Sequence, residues 1–310
     1  LTALICGSIA FDTVMVFPGR FRDHILPDRI HLLNVSFLVP TLRRNFGGCA
    51  GNIAYGLGLL GGAGVPMATV GHDFAPYGHW LRERAVDVSA IRVIDGEYTA
   101  QAFITTDLDD NQITAFHPGA MNQSHLNAVS QVTGCSLGLV APDGREGMLR
   151  HAAQFAEAGV PMLFDPGQGL PMFDGAELDD FVSKATWVAV NDYEGQMLSE
   201  RTGLTHAEIA ARVRALIVTR GAQGSVIYAG GREHVIPAAS PDAIVDPTGC
   251  GDAYRAGLLF GLMNGLDWET TGRVASLMGA IKVAHAGTQT HSFTMDEFRE
   301  RFRAAFGRAL

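Results

Sequence analysis

Along most of this chain a short apolar run is followed by a glycine- or aspartate-bearing turn and then by a longer segment with helical spacing. Leu1–Ala10 is the first such run. It reads as a buried strand ending at Gly7-Ser8, with Asp12 just beyond it. Residues 13–44 break the rhythm, since short apolar pieces (Val14–Phe17, Leu32-Leu33, Val35–Val39) alternate with Pro18, Pro27 and Pro40. No long helix fits there, and a partly β excursion is expected. From Asn45 to His72 there is no Asp, Glu, Lys or Arg, yet the stretch is rich in glycine and holds Pro66. It reads as a buried helix to about Leu60 and a strand over 67–70, not as a membrane span. A helix over 74–85 follows. Residues 98–106 and 112–116, joined by the polar turn 107–111, form the only clean antiparallel hairpin expected. Strands at 137–141, 161–164, 187–190, 216–219 and 225–228 then alternate with helices at 146–158, 192–201, 206–214 and 268–284. Ala243–Val245 reads as the end of one more strand, leading into a helix over 253–263. Thr294 and Glu297 cap a last helix with Phe298, Phe302 and Phe306 on one face.

This order predicts an α/β fold: a mainly parallel, doubly wound sheet with helices on both faces, plus a small β-sheet lid. The expected large domain comprises residues 1–12, 45–96 and 121–310, and the lid residues 13–44 and 97–120. At 310 residues, 47% hydrophobic, the chain is long enough for both. The net charge of −9 and the absence of a basic run argue against nucleic acid or an anionic membrane as partner. The four cysteines are far apart and form no metal or disulfide pattern, and no basic segment precedes an apolar run at the start. A cytoplasmic location is expected.

Candidate chemistry gathers at strand C-termini, the edge where open α/β sheets bind ligands. The richest stretch is Asp246-Pro-Thr-Gly-Cys-Gly-Asp252 ahead of a helix. Free N–H groups and the helix dipole make that turn an anion site. Asp252 there is either a general base for a hydroxyl attacking phosphate or a helix cap. Gly56–Gly61 matches the dinucleotide glycine pattern, but helix rather than strand precedes it, so tight helix packing is the better reading. No P-loop, protein-kinase, α/β-hydrolase or zincin motif is present.

Gly47-Gly48 through Asn52, Asn191-Asp-Tyr-Glu194, Thr219-Arg-Gly-Ala-Gln-Gly224 and Asp246–Asp252 together resemble the successive motifs of the ribokinase-like (PfkB) sugar and nucleoside kinases. Gly7–Asp12, Phe17–Phe21, Val35–Val39 and Phe116–Met121 are similar to the bacterial adenosine/nucleoside kinases of that family. The resemblance implies an ATP-dependent kinase acting on the 5′-hydroxyl of a ribonucleoside. Asp252 would be the base, and the amides of Gly249, Cys250 and Gly251 would stabilise the transferring phosphoryl group. Asp12, Gly48 and Asn52 would grip the ribose. Ser8, Ser36 and Gln168 would lie around the base, with Gln101 beside them and Phe116 stacking. Thr219, Gly221 and Gly224, with Thr248, His285 and Gly287, would line ATP. Asn191 and Glu194 would hold Mg2+ through water.

Residues 285–289 would border either adenine or a monovalent-cation loop, which leaves K+ open, as is a homodimer through the lid. Three positions depart from the pattern. Cys250 replaces the usual alanine, Ala102 a second stacking aromatic, and Gly169 a second glutamine. The last two predict a loose grip on adenine and tolerance of inosine, guanosine or cytidine. A sugar kinase and a non-catalytic ligand-binding module are the competing readings.

Overall fold

The computed structural model describes residues 1–25, 35–109 and 111–310. Pro27 and Leu32-Leu33 of the expected excursion lie outside them. The strands are β1 (Thr2–Cys6), β2 (Ala10–Val16), β3 (Thr41–Gly47), β4 (Ala63–Val70), β5 (Ile91–Val93), β6 (Ala100–Thr106), β7 (Gln112–His117), β8 (Leu137–Val140), β9 (Met162–Phe164), β10 (Trp187–Asn191), β11 (Ala215–Thr219), β12 (Ser225–Ala229) and β13 (Arg232–Ile236). The helices are α1 (Cys49–Leu59), α2 (Ala75–Glu83), α3 (Arg145–Glu157), α4 (Gly175–Lys184), α5 (Asp192–Thr202), α6 (His206–Arg212), α7 (Cys250–Met263), α8 (Trp268–Val283) and α9 (Met295–Phe306).

Nine strands form one sheet in the order β13-β12-β11-β10-β9-β8-β1-β4-β5. It is parallel from β5 to β11, and β12 and β13 close one edge antiparallel. The period-2 alternation of strand side chains divides the core in two. Ala3 and Ile5 of β1 pack with α1, α2, α7, α8 and α9, while Leu4 and Cys6 pack with α3 to α6. Both faces are therefore covered, as the apolar runs require. A second sheet, β3-β2-β6-β7, forms the lid. No helix among the described residues is long and apolar enough to cross a membrane.

Three expectations change. The hairpin β6–β7 is not the only antiparallel unit, because β11, β12 and β13 form another and β2 pairs β3 antiparallel. Helix α4 was not expected, although Asp174 and Glu177 form a capping box at its start. Ala243–Val245 is not a strand. Ile244 is 82% exposed, and the amides of Val245 and Asp246 both donate to Val283 O at the end of α8. That helix end, not a neighbouring strand, satisfies the backbone there.

Candidate active site

The site begins where β1 hands over to α1. Gly48 caps α1 with φ +85°, and a Cβ on it would lie 2.6 Å from Ser8 O. The paired glycines therefore serve the protein's own backbone, not only a ligand. Ser8 is committed to the same junction: its Oγ accepts from Cys49 N (3.2 Å) and its carbonyl from Ala50 N (2.9 Å). One turn into α1, buried Asn52 reaches across to α7. Its Nδ2 donates to Asp252 Oδ2 (2.8 Å), and its Oδ1 accepts from Gln289 Nε2 (2.9 Å). Trp80 Nε1 donates to Gln289 Oε1 (3.0 Å), which fixes the amide's orientation.

Helix α7 opens at Gly249 without a side-chain cap. Asp252 is therefore not its cap; its carboxylate is turned to Asn52. Cys250 N donates to Pro247 O (3.1 Å), so this amide is already engaged, contrary to expectation. Among the described residues the amides of Gly249, Gly251 and Asp252 have no backbone partner. They leave a short row of free donors at the positive end of the helix.

The electrostatics suit proton transfer. Burial, then the charge of Asp165, push Asp252 up; the Asn52 hydrogen bond and Arg255 pull it down, and the balance is about 7. Asp12 is raised to about 6 by burial and by Asp246. Beneath Asp252, Arg255 forms a buried fork on Asp165: Nε to Oδ2 and Nη2 to Oδ1, both 3.0 Å. Nη2 also donates to Ala189 O (3.3 Å) and lies 3.9 Å from Glu194 Oε2.

The lid's register sorts its candidates by face. Asn45, Asp12, Ala102 and Phe116 stand in one row across β3, β2, β6 and β7. Asp12 makes no side-chain hydrogen bond among the described residues and is free to meet a diol, while Phe116 is 52% exposed. Gln101 belongs to the adjacent row with Phe46, Phe11 and His117, on the opposite face. Its Nε2 donates to Asp73 Oδ2 (3.2 Å), so its expected place beside the substrate is corrected. Ser36 is exposed on the irregular segment before β3, and Gln168 is exposed just past β9.

On the far side of α7 lies a cleft of about 560 Å³ lined by Thr219, Gly221, Gly224, Cys250, Gly251 and Tyr254, among others. Burial pushes the Cys250 thiol up, the direction opposite to thiolate activation. Thr248, His285 and Gly287, also expected to line ATP, are not among the residues lining this cleft. Asp246 Oδ1 accepts from Thr248 N (2.9 Å), Asp246 Oδ2 from Gly287 N (2.8 Å), and His285 Nδ1 bonds Ile281 O (2.9 Å).

Asn191 and Glu194 form the capping box of α5: Asn191 Oδ1 accepts from Glu194 N (2.7 Å) and Glu194 Oε2 from Asn191 N (2.8 Å). Glu194 Oε1 stays uncommitted, which fits a Mg2+ held through water. No cluster of three metal-ligating acidic, His or Cys side chains exists among the described residues to hold it directly. A bound K+ does not fit residues 285–289, because Lys282 Nζ already donates to Asp246 O (2.7 Å) and His285 O (3.1 Å).

Arg255, Lys282 and Trp80 were not among the expected site residues, and Gln289, expected beside adenine or a monovalent cation, is found on Asn52. Of the unexpected three, only Arg255, three residues after Asp252 on one helix face, carried a usable signal.

The sequence profile described as pfkB family carbohydrate kinase matches residues 12–295. A nucleoside kinase of Methanocaldococcus jannaschii is 33% identical over 271 residues, covering 86% of this chain and 89% of that protein. The structure of Burkholderia thailandensis nucleoside kinase in complex with inosine is similar with a TM-score of 0.91 and 53% identity, covering 99% of both chains. The same enzyme in complex with ADP-inosine gives a TM-score of 0.88 and 55% identity over 99% of this chain and 97% of that one.

Proposed function

The chain belongs to the pfkB family of carbohydrate kinases, and from this we propose that it is an ATP-dependent nucleoside kinase whose acceptor is the 5′-hydroxyl. The observation that carries the reading is the Asn52–Asp252 bond. It joins the α1 end, where Asp12 and Gly48 stand ready for a ribose, to the free amides of α7. A hydroxyl entering between them meets a carboxylate on one side and, on the other, the amides that would hold the γ-phosphoryl group it attacks as ADP leaves.

Phosphoryl transfer needs positioning and charge stabilisation more than covalent help. Asp252, raised to about 7, is a better proton acceptor than an ordinary carboxylate, yet far weaker than an alkoxide. It takes the proton late, after much of the bond change. The amides of Gly249, Gly251 and Asp252 face the charge on the transferring group. ATP fits the cleft lined by Thr219, Gly221 and Gly224. Mg2+, held through water by Glu194, would neutralise phosphate charge. Closing the lid over the cleft excludes water and so limits ATP hydrolysis.

Phe116 stands in the row of Asp12, and Ala102 between them offers no second ring. Stacking on one aromatic, with Gln168 exposed and Gly169 beside it, suits several bases. A kcat/KM panel is expected to place inosine, guanosine, cytidine and adenosine within about 30-fold of one another and free ribose or fructose at least ~10²-fold lower. Preference for a free sugar would reassign the chain within its family, and turnover that survives excess EDTA would remove Mg2+.

The four unpaired cysteines fit the reducing cytoplasm. Strand β7 is exposed throughout and lies at the open edge of the lid sheet. We assign a homodimer to this edge. Sedimentation at micromolar concentration should find about twice the 33.1 kDa chain mass, and Ile113→Lys should halve it. A monomer in both cases removes the assembly.

A further inference from the structure

Lys282 is fully buried, yet among the described residues no carboxylate pairs with it directly. Its ammonium donates to backbone carbonyls of two loops, Asp246 O (2.7 Å) and His285 O (3.1 Å). One loop runs into Gly249 and the free amides of α7. The other follows α8. The same two loops are tied again by the Asp246 carboxylate, which accepts from Thr248 N (2.9 Å) and Gly287 N (2.8 Å). Thr288 then packs on Gly249, whose Cβ, if present, would lie 3.0 Å from Thr288 Cγ2. A single buried cation thus sits where the loop bearing the transfer amides crosses its support.

The surroundings call for positive charge. The carbonyls of Asp246 and His285 face the ammonium, and Asp246 and Asp252 are its acidic neighbours. Burying an ammonium is costly unless dipoles and charges replace its water. Carbonyl oxygens are also the ligands that a monovalent metal ion takes when it sheds water. Here the ammonium holds them.

We propose that Lys282 is a built-in cation that holds the phosphoryl-transfer loop in its reactive shape, so that the enzyme turns over without a bound monovalent ion. Lys282 is a positioning residue in this scheme; it reaches the reaction through Asp246 and Gly249. The proposal rests on the kinase reading above. The plain alternative is a lysine capping the last turn of α8, as lysines often do. A cap alone would alter stability with no preference among added ions.

The test compares wild type and Lys282→Ala in KCl, NH4Cl, NaCl and choline chloride at fixed ionic strength, reading kcat and the unfolding temperature. Wild type is expected to be indifferent to the cation within about 1.5-fold in kcat, with unchanged unfolding temperature. Lys282→Ala should lose on the order of 10²-fold in kcat. K+ or NH4+ should then restore it about tenfold and raise its unfolding temperature selectively over choline. A K+-specific gain of about threefold or more in wild type overturns the proposal, as does a variant with full kcat or one that no ion rescues. If the variant does not fold, the longer, neutral Lys282→Met takes its place and the wild-type arm still decides. The unfolding readout needs no substrate, so its failure is separate from a failure of the nucleoside panel.

Discussion

Asp252→Asn is expected to lower kcat about 10³-fold while raising the unfolding temperature at pH 8. Both effects have one cause. In the fold, the Asp252 carboxyl is raised from 3.8 to about 7, first by burial and then by the charge of Asp165. Between those two values the folded protein holds a proton that the unfolded chain has released. Stability therefore falls as pH rises from about 4 to about 7 and is flat above. Asparagine has nothing to release, and its amide oxygen still accepts from Asn52. At pH 8 the variant should gain on the order of 2 kcal/mol, a shift of several degrees, and at pH 4 almost nothing. The wild-type kcat/KM should rise with pH through an apparent value near 7, coupled to Asp12 near 6. Full turnover by Asp252→Asn would remove the proposed base. A pH-independent stability difference would remove the electrostatic cause.

The fold was legible in the sequence because each core strand is a short apolar run bounded by a turn, and both faces of the sheet are covered. Ala243–Val245 misled for the same reason. It is a short β-branched apolar run, but it sits where no strand can pair, with Ile244 at 82% exposure. Single-residue roles were less legible. Gln101 and Ala102 are neighbours in sequence, yet the strand period sends them to opposite faces of the lid, and only the register with Asp12 says which faces the cleft. Lys282 and Gln289 act through carbonyls and amides brought from positions 246 and 52. No local pattern announces such a contact, because the partners are set by the crossing of α7, α8 and α1.

Arg255→Met is expected to be the most destabilising single change near the site. It leaves Asp165, 5% exposed, without its counter-charge and breaks two charge-assisted bonds. Removing one partner of such a buried pair costs about 3–5 kcal/mol. Glu194 also loses the guanidinium 3.9 Å from its carboxylate. The charge on Arg255 lowers Asp252, so its loss should move the acid limb of kcat/KM to higher pH. The double change Asp165→Leu with Arg255→Met separates the two consequences. It removes the stranded carboxylate and should recover most of the stability, since an apolar pair of similar volume often replaces a buried ion pair at little net cost. It also removes the Asp165 charge that raises Asp252, so the limb should return toward 7. Chemical denaturation and pH–rate profiles of the wild type, both single variants and the double variant complete the cycle. A limb that stays fixed in Arg255→Met would show that this ion pair supports the fold without setting the proton affinity of Asp252.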